Sequence, residues 1–143
     1  MIRVLVAEDH TIVREGIKQL IGMARDLEVA GEACNGEQLI EVLRRTSCDV
    51  VLLDISMPGV NGLEAIPRIR ALTDAPAILV LSMHDEAQMA ARALKAGAAG
   101  YATKDSDPAL LITAIRKVAG GGRYIDPALA DRMVFEVGLT DSR

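Results

Sequence analysis

Asp49-Val50-Val51-Leu52-Leu53-Asp54 is the stretch whose reading decides the fold. Four consecutive apolar residues run straight into a carboxylate, and Ile55-Ser56-Met57-Pro58-Gly59 follows as turn material. A short unbroken apolar run closed by a turn reads as a strand buried on both faces. Asp54 then stands where that strand leaves the sheet, at the carboxyl edge, where open α/β sheets bind their ligands.

On either side of this strand the chain alternates between strand and helix patterns. Ile2 to Ala7 is an apolar strand interrupted by Arg3 and ending at Glu8-Asp9. Thr11 is placed to cap the next helix, with Val13, Ile17, Leu20, Ile21 and Ala24 along one face. Glu28 to Cys34 reads as a strand, and Asn35-Gly36 turns into a helix carrying Leu39, Val42 and Leu43. After Asn61-Gly62 a helix carries Leu63, Ile66 and Ile69, and Pro67 is expected to shorten or bend its first turn.

Ala77 to Leu81 is the fourth strand, ending at Ser82, and the helix after it shows Ala87, Ala90, Ala91 and Leu94 before Gly97 closes it. Ala98 to Thr103 is a short fifth strand ending at Lys104. Asp107 then caps a helix with Pro108 at its first position and Leu111, Ile115 and Val118 on its face. Five strands alternating with five helices imply βαβ units with right-handed crossovers. The expected architecture is a doubly wound, five-stranded parallel sheet in flavodoxin-like order 2-1-3-4-5, with helices on both faces. Residues 1–120 form this domain, and 121–143 read as a further helix or linker, starting at Asp126-Pro127 and carrying Leu129, Met133 and Val137.

Composition narrows the function. The 143 residues are half apolar, one quarter charged, and carry a net charge of −4 with no block of lysines or arginines. That balance lacks the electrostatic footprint of a nucleic-acid binder. The aromatic residues are Tyr101, Tyr124 and Phe135, too few for base-stacking platforms. No stretch approaches the roughly 20 apolar residues of a membrane span, and Met1-Ile2-Arg3-Val4 enters a strand without a signal peptide. Cys34 and Cys48 are isolated and read as reduced thiols of a cytoplasmic protein.

The strand ends supply the chemistry: Glu8-Asp9 after the first, Asp54 after the third, Ser82 after the fourth and Lys104 after the fifth. In the order 2-1-3-4-5 the first and third strands are neighbours, so three carboxylates meet at the topological switch point and repel one another. They require a cation, and an oxygen-only donor set favours Mg²⁺ or Mn²⁺ over zinc. His10 and His84 read as exposed loop histidines rather than ligands. Lys104 suits a phosphoryl oxygen, and Ser82 offers a hydroxyl to another. A central carboxylate nucleophile at Asp54, with a metal, a lysine and a hydroxyl, is what phosphoryl transfer to aspartate asks for.

Four stretches carry a resemblance: Val4-Leu5-Val6-Ala7-Glu8-Asp9-His10, Val51 to Gly62 around Asp54, Leu79-Val80-Leu81-Ser82-Met83-His84-Asp85, and Gly97-Ala98-Ala99-Gly100-Tyr101-Ala102-Thr103-Lys104. Over about residues 2–120 the chain resembles the receiver domain of bacterial response regulators, in the NarL/FixJ (LuxR-type) branch. The resemblance implies that Asp54 accepts phosphate from a sensor histidine kinase. It implies that Asp9, Asp54 and the backbone carbonyl of Ser56 ligate Mg²⁺, with Glu8 acting through water. Ser82 and Lys104 bind phosphoryl oxygens, and Tyr101, otherwise read as a half-buried strand aromatic, is the switch residue coupled to Ser82. Ser56 and His84 flank the path of a hydrolytic water and set the acyl-phosphate lifetime.

Asp105 stands where many receivers have proline, Glu8 replaces the commoner aspartate, and Met83 replaces a small residue, narrowing access to Asp54. Leu139-Thr140-Asp141-Ser142-Arg143 resembles the opening of a helix-turn-helix domain. The implied whole protein is a phosphorylation-dependent homodimer that controls transcription, touching DNA only through that output domain. The rival reading is a Mg²⁺-dependent phosphatase with an aspartyl-phosphate intermediate. It expects a second aspartate two residues after the nucleophile, where this chain has Ser56.

Overall fold

The computed structural model describes residues 1–57, 62–82, 87–104 and 107–136. In chain order run β1 (Ile2–Ala7), α1 (Thr11–Gly22), β2 (Leu27–Ala33), α2 (Gly36–Arg45), β3 (Val50–Asp54) and α3 (Gly62–Arg70). They are followed by β4 (Ala77–Ser82), α4 (Ala87–Ala96), β5 (Gly100–Thr103), α5 (Pro108–Ala119), β6 (Tyr124–Ile125) and α6 (Pro127–Glu136). Neighbouring strands pair in parallel, in the order β2-β1-β3-β4-β5-β6.

The sheet therefore has six strands where the pattern predicts five. Tyr124-Ile125 is only two residues long, too short to show any periodicity. It is recognisable through its pairing: Tyr124 N donates to Ala99 O at 3.1 Å, and Asp126 N donates to Tyr101 O at 3.1 Å. Residues 124–136 thereby extend the same layered sheet, with Leu129 and Met133 of α6 buried in the core that also holds the α4 alanines. Val137 and the tail Gly138 to Arg143 lie outside the described residues.

Every residue of β3 is fully buried, as expected of the central strand. Alternation along the strands divides the core. Leu5, Val51, Leu53, Ile78, Val80 and Tyr101 face α2, α3, α4 and α6. Val4, Val6, Val50, Leu52, Leu79 and Leu81 face α1 and α5. Each fully buried aliphatic side chain of this kind stabilises the fold by about 1.5–3 kcal/mol, so both layers are clamped to the middle of the sheet.

Local chemistry sets the helix starts. The Asn35 side chain accepts from Gln38 N at 2.9 Å, and Asp107 accepts from Ala109 N at 2.8 Å. Thr11, expected to cap α1, is instead its first helical residue; His10 occupies the cap position and makes no side-chain cap. Pro67 lies inside α3, which continues through it to Arg70. Cys34 and Cys48 are free thiols, and burial pushes the Cys48 thiol up to about 11.

The β5–β6 seam depends on one glycine. A Cβ on Gly100 would stand 2.8 Å from Leu79 Cδ1 and 2.9 Å from the Tyr124 carbonyl oxygen. The leucine can rotate, but the backbone oxygen moves only if β6 moves. Gly100→Ala is expected to destabilise the protein by about 1–3 kcal/mol, measured by chemical denaturation. It should also increase amide exchange at Tyr124 and Asp126, whose N–H groups close the seam.

Candidate functional site

The register of the sheet assembles the site. Ala7 is level with Leu53, so Glu8 and Asp54 emerge together where β1 and β3 run side by side. Asp54 pairs with Leu81, and Ser82 with Thr103, so β4 and β5 deliver Ser82 and Lys104 to the same carboxyl edge. Lys104 N donates to Ser82 O at 2.8 Å, tying the exits of β4 and β5 together.

Asp54 is fully buried, and its two oxygens have different surroundings. Oδ1 accepts from the backbone N–H of Ser56 at 2.9 Å and from its hydroxyl at 2.7 Å. Oδ2 faces Lys104 Nζ at 3.1 Å. Burial alone pushes the Asp54 carboxyl up, but the Ser56 donors and the Lys104 ammonium outweigh it and hold the group below the usual carboxylate range. Burial likewise works against the charge on Lys104, yet Glu8 and Asp54 hold the ammonium above its ordinary value.

Glu8 is fully buried too, with Oε1 2.6 Å from Lys104 Nζ. That contact is an ion pair without hydrogen-bond geometry, and buried Oε1 has no hydrogen-bond partner. Buried Asp9 Oδ1 has none either. One ammonium thus faces the Glu8 and Asp54 carboxyl groups, with Asp9 beside them. Two like charges about 4 Å apart repel by about 4 kcal/mol at an effective dielectric of about 20, so one lysine leaves the cluster short of positive charge. The bare Asp9 oxygen and the carboxylate donor set fit a divalent cation, and donor atoms of Glu8, Asp9, His10 and Asp54 all lie within 4.8 Å of one another.

His10 departs from the sequence reading. Its ring is 60 % exposed, as a loop histidine should be, but Nδ1 is 2.8 Å from Glu8 Oε2 and 3.4 Å from Asp9 Oδ1. Its bond to Glu8 and the charges of Asp9 and Glu8 raise its pKa. Sequence spacing does not reveal a side chain folding back two residues. Arg14 was also missed: its guanidinium donates to Glu8 O at 2.9 Å and to Glu32 Oε1 at 3.0 Å, pinning the exit of β1. The i, i+4 step from His10 across the start of α1 is the signal that could have found it.

Ser56, expected to flank a hydrolytic water, donates directly to Asp54 through its backbone N–H and its hydroxyl. Ser82 is buried at the end of β4, and Tyr101 is fully buried rather than half-buried, because α4 and α6 close over its face of the sheet. Met83, His84 and Asp105 lie outside the described residues.

Residues 4–116 match the family model of the response regulator receiver domain. The chain belongs to that family. Within it, the receiver domain falls in the NarL/FixJ (LuxR-type) branch. It is 41 % identical over 135 residues to the response regulator UvrY of Escherichia coli K12, covering 94 % of this chain and 62 % of UvrY. It is 42 % identical over 126 residues to the nitrate/nitrite response regulator NarL of the same strain, covering 88 % of this chain and 58 % of NarL. The chain thus spans about three fifths of the length of these curated relatives.

Among solved structures, a LuxR-family two-component response regulator from Aurantimonas sp. SI85-9A1 superposes with a TM-score of 0.88 at 38 % identity, covering 94 % of this chain and 96 % of that one. The isolated receiver domain of Salmonella enterica RcsB, solved with a phosphomimetic beryllium fluoride, gives 0.83 at 26 % identity, covering 91 % and 96 %. No helix among the described residues is long and apolar enough to cross a membrane.

Removing the lone ammonium tests the charge balance. Lys104→Met leaves two fully buried carboxyl groups without their counter-ion, and breaking a buried pair costs about 3 kcal/mol or more. Thermal unfolding in EDTA should show that loss. Millimolar Mg²⁺ should raise the Tm of the variant more than that of the wild type, since a bound cation stabilises the state that holds it.

Proposed function

We propose that this receiver domain takes a phosphoryl group onto Asp54 from a phosphohistidine of a sensor histidine kinase, and that the acyl phosphate controls an output domain in the whole protein. The observation that carries the reading is the asymmetry of Asp54: Oδ1 is fixed by two donors from Ser56, while Oδ2 faces the Lys104 ammonium. Oδ2 is therefore the attacking oxygen. Its bond to phosphorus forms as the phosphorus–nitrogen bond of the donor breaks, the electron pair leaving on the imidazole. Lys104 follows the charge from Oδ2 to a phosphoryl oxygen, and Ser82 supplies a hydroxyl to another. Mg²⁺, or Mn²⁺, held by Asp9, Asp54 and the Ser56 backbone carbonyl, with Glu8 through water, would neutralise charge on the phosphoryl oxygens. Ser56, already bonded to Asp54, and His84 tune how long the acyl phosphate survives.

Tyr101 is the proposed switch, and its surroundings give it something to move. It pairs with Ile125 of β6, and its carbonyl accepts from Asp126 N, whose side chain in turn caps α6 at Ala128 N, 3.1 Å away. A change at Ser82 and Tyr101 thus reaches α6 through one strand pair, and residues 121–143 serve as the connector to the output domain. Solved RcsB includes dimers bound to DNA; by analogy, phosphorylation promotes a homodimer here, with DNA contacted by the output domain and transcription as the controlled process. A cytoplasmic location follows from the same reading.

Mass spectrometry after incubation with acetyl phosphate and Mg²⁺ tests the proposal. Wild type should gain a single labile phosphate adduct that Asp54→Ala lacks; an adduct retained in the variant, or sustained turnover of a generic phosphomonoester, overturns it. For the switch, Tyr101→Ala should keep the adduct while its effect on oligomeric state weakens, read by light scattering. Phosphate-dependent dimerisation equal to wild type in that variant rules the switch out.

A further inference from the structure

His10 enters the acidic cluster with a nitrogen donor, and nothing in the phosphoacceptor scheme uses it. We propose that His10 Nδ1 becomes a direct ligand when a first-row transition dication enters the cluster of Glu8, Asp9 and Asp54, so that the site prefers such ions to Mg²⁺. The inference rests on reading this cluster as the metal site of the phosphoacceptor centre.

Four observations carry it. The first is spacing. Around an ion with bonds of about 2.0–2.2 Å, adjacent donors stand about 3 Å apart and opposite donors about 4 Å. Nδ1 lies 2.8 Å from Glu8 Oε2 and 3.4 Å from Asp9 Oδ1, and the four donor atoms fall within 4.8 Å of one another. They surround one ion after a contraction of a few tenths of an ångström. The second is the buried acids: Glu8 is fully buried with Oε1 held only by its ion pair to Lys104, and Asp9 Oδ1 is buried without a hydrogen bond. The third is placement of the ring. His10 N donates to Glu8 Oε2 at 3.0 Å, and His10 O accepts from Arg14 N at 2.9 Å, so the residue is tied at both peptide groups between β1 and α1. The fourth is access, since the side chain is 60 % exposed and an ion arrives without the core opening.

Imidazole is the discriminating donor. Carboxylates alone suit hard ions, whereas a nitrogen donor favours cobalt, nickel, copper and zinc along the usual affinity order. Cobalt(II) is a convenient probe because its absorption reports the donors around it. Untagged wild-type protein, His10→Gln and His84→Gln, each checked for folding by circular dichroism, are titrated with Co²⁺ and with Mg²⁺ by calorimetry, and the Co²⁺ spectra are recorded. His84 is the other histidine of the chain and serves as the control.

Wild type and His84→Gln should bind Co²⁺ more tightly than Mg²⁺. His10→Gln should lose about tenfold or more in Co²⁺ affinity, lose the spectral signature of a nitrogen ligand, and keep its Mg²⁺ affinity within about twofold. Equal losses for both ions would make His10 a positioning residue for Glu8, and no loss for Co²⁺ would make it a bystander; either result overturns the inference. The wild-type phosphate adduct in Mg²⁺ separates the two claims. If it fails to form, the phosphoacceptor reading falls while the cobalt result stands. If it forms and Co²⁺ binding ignores His10, only the inference falls.

Discussion

A single buried ammonium bridging two buried carboxyl groups is the interaction on which the carboxyl-edge site depends. Lys104 reaches Glu8 Oε1 and Asp54 Oδ2 from the end of β5, crossing the exit of β4 to do so. Neither acid is exposed to water, so screening does little for them, and the lysine is what makes their burial tolerable. It is also an incomplete solution, because Asp9 Oδ1 has no donor. A resting state that is neutralised only in part is ready for more positive charge, and in the proposed phosphoryl transfer it can release its lysine to the incoming group.

That arrangement follows from topology rather than from any one side chain. Parallel strands all end at the same edge, and β1 pairs with both β2 and β3, so the chain leaves β1 and β3 in opposite lateral directions and opens a crevice between them. The register of Ala7 with Leu53 then makes the contact between Glu8 and Asp54 unavoidable. An antiparallel arrangement of the same strands would have scattered these residues to both ends of the sheet.

Much of this was legible in the chain, for reasons that can be named. The run Val50 to Leu53 is too apolar and too short for anything but a central strand, and acids and a lysine at successive strand ends announce a carboxyl-edge site. The order of the first five strands was equally readable, because each helix carries a clear apolar face. The misses share a cause: they are set by tertiary contacts that local pattern does not encode. Two residues of β6 have no period, so the sequence reads Tyr101 as half-buried where α4 and α6 cover it. Thr11 is a good capping residue by type, but Glu8 has already engaged the His10 amide, and the helix begins one position away from the cap that was expected. The imidazole of His10 turns back on Glu8, which no spacing rule reports.

Beyond the site, α4 meets the sheet through Ala87, Ala90, Ala91 and Ala93, all buried, and the core it enters includes Leu129 and Met133 of α6. Methyl groups interlock shallowly. A helix keyed by leucines must climb out of deep holes to change its seat, whereas one resting on alanines glides over a nearly smooth bed, forfeiting only about 0.8 kcal/mol for each methyl-sized group uncovered. For the switch proposed at Tyr101, such a bed would let a modest electrostatic push become travel.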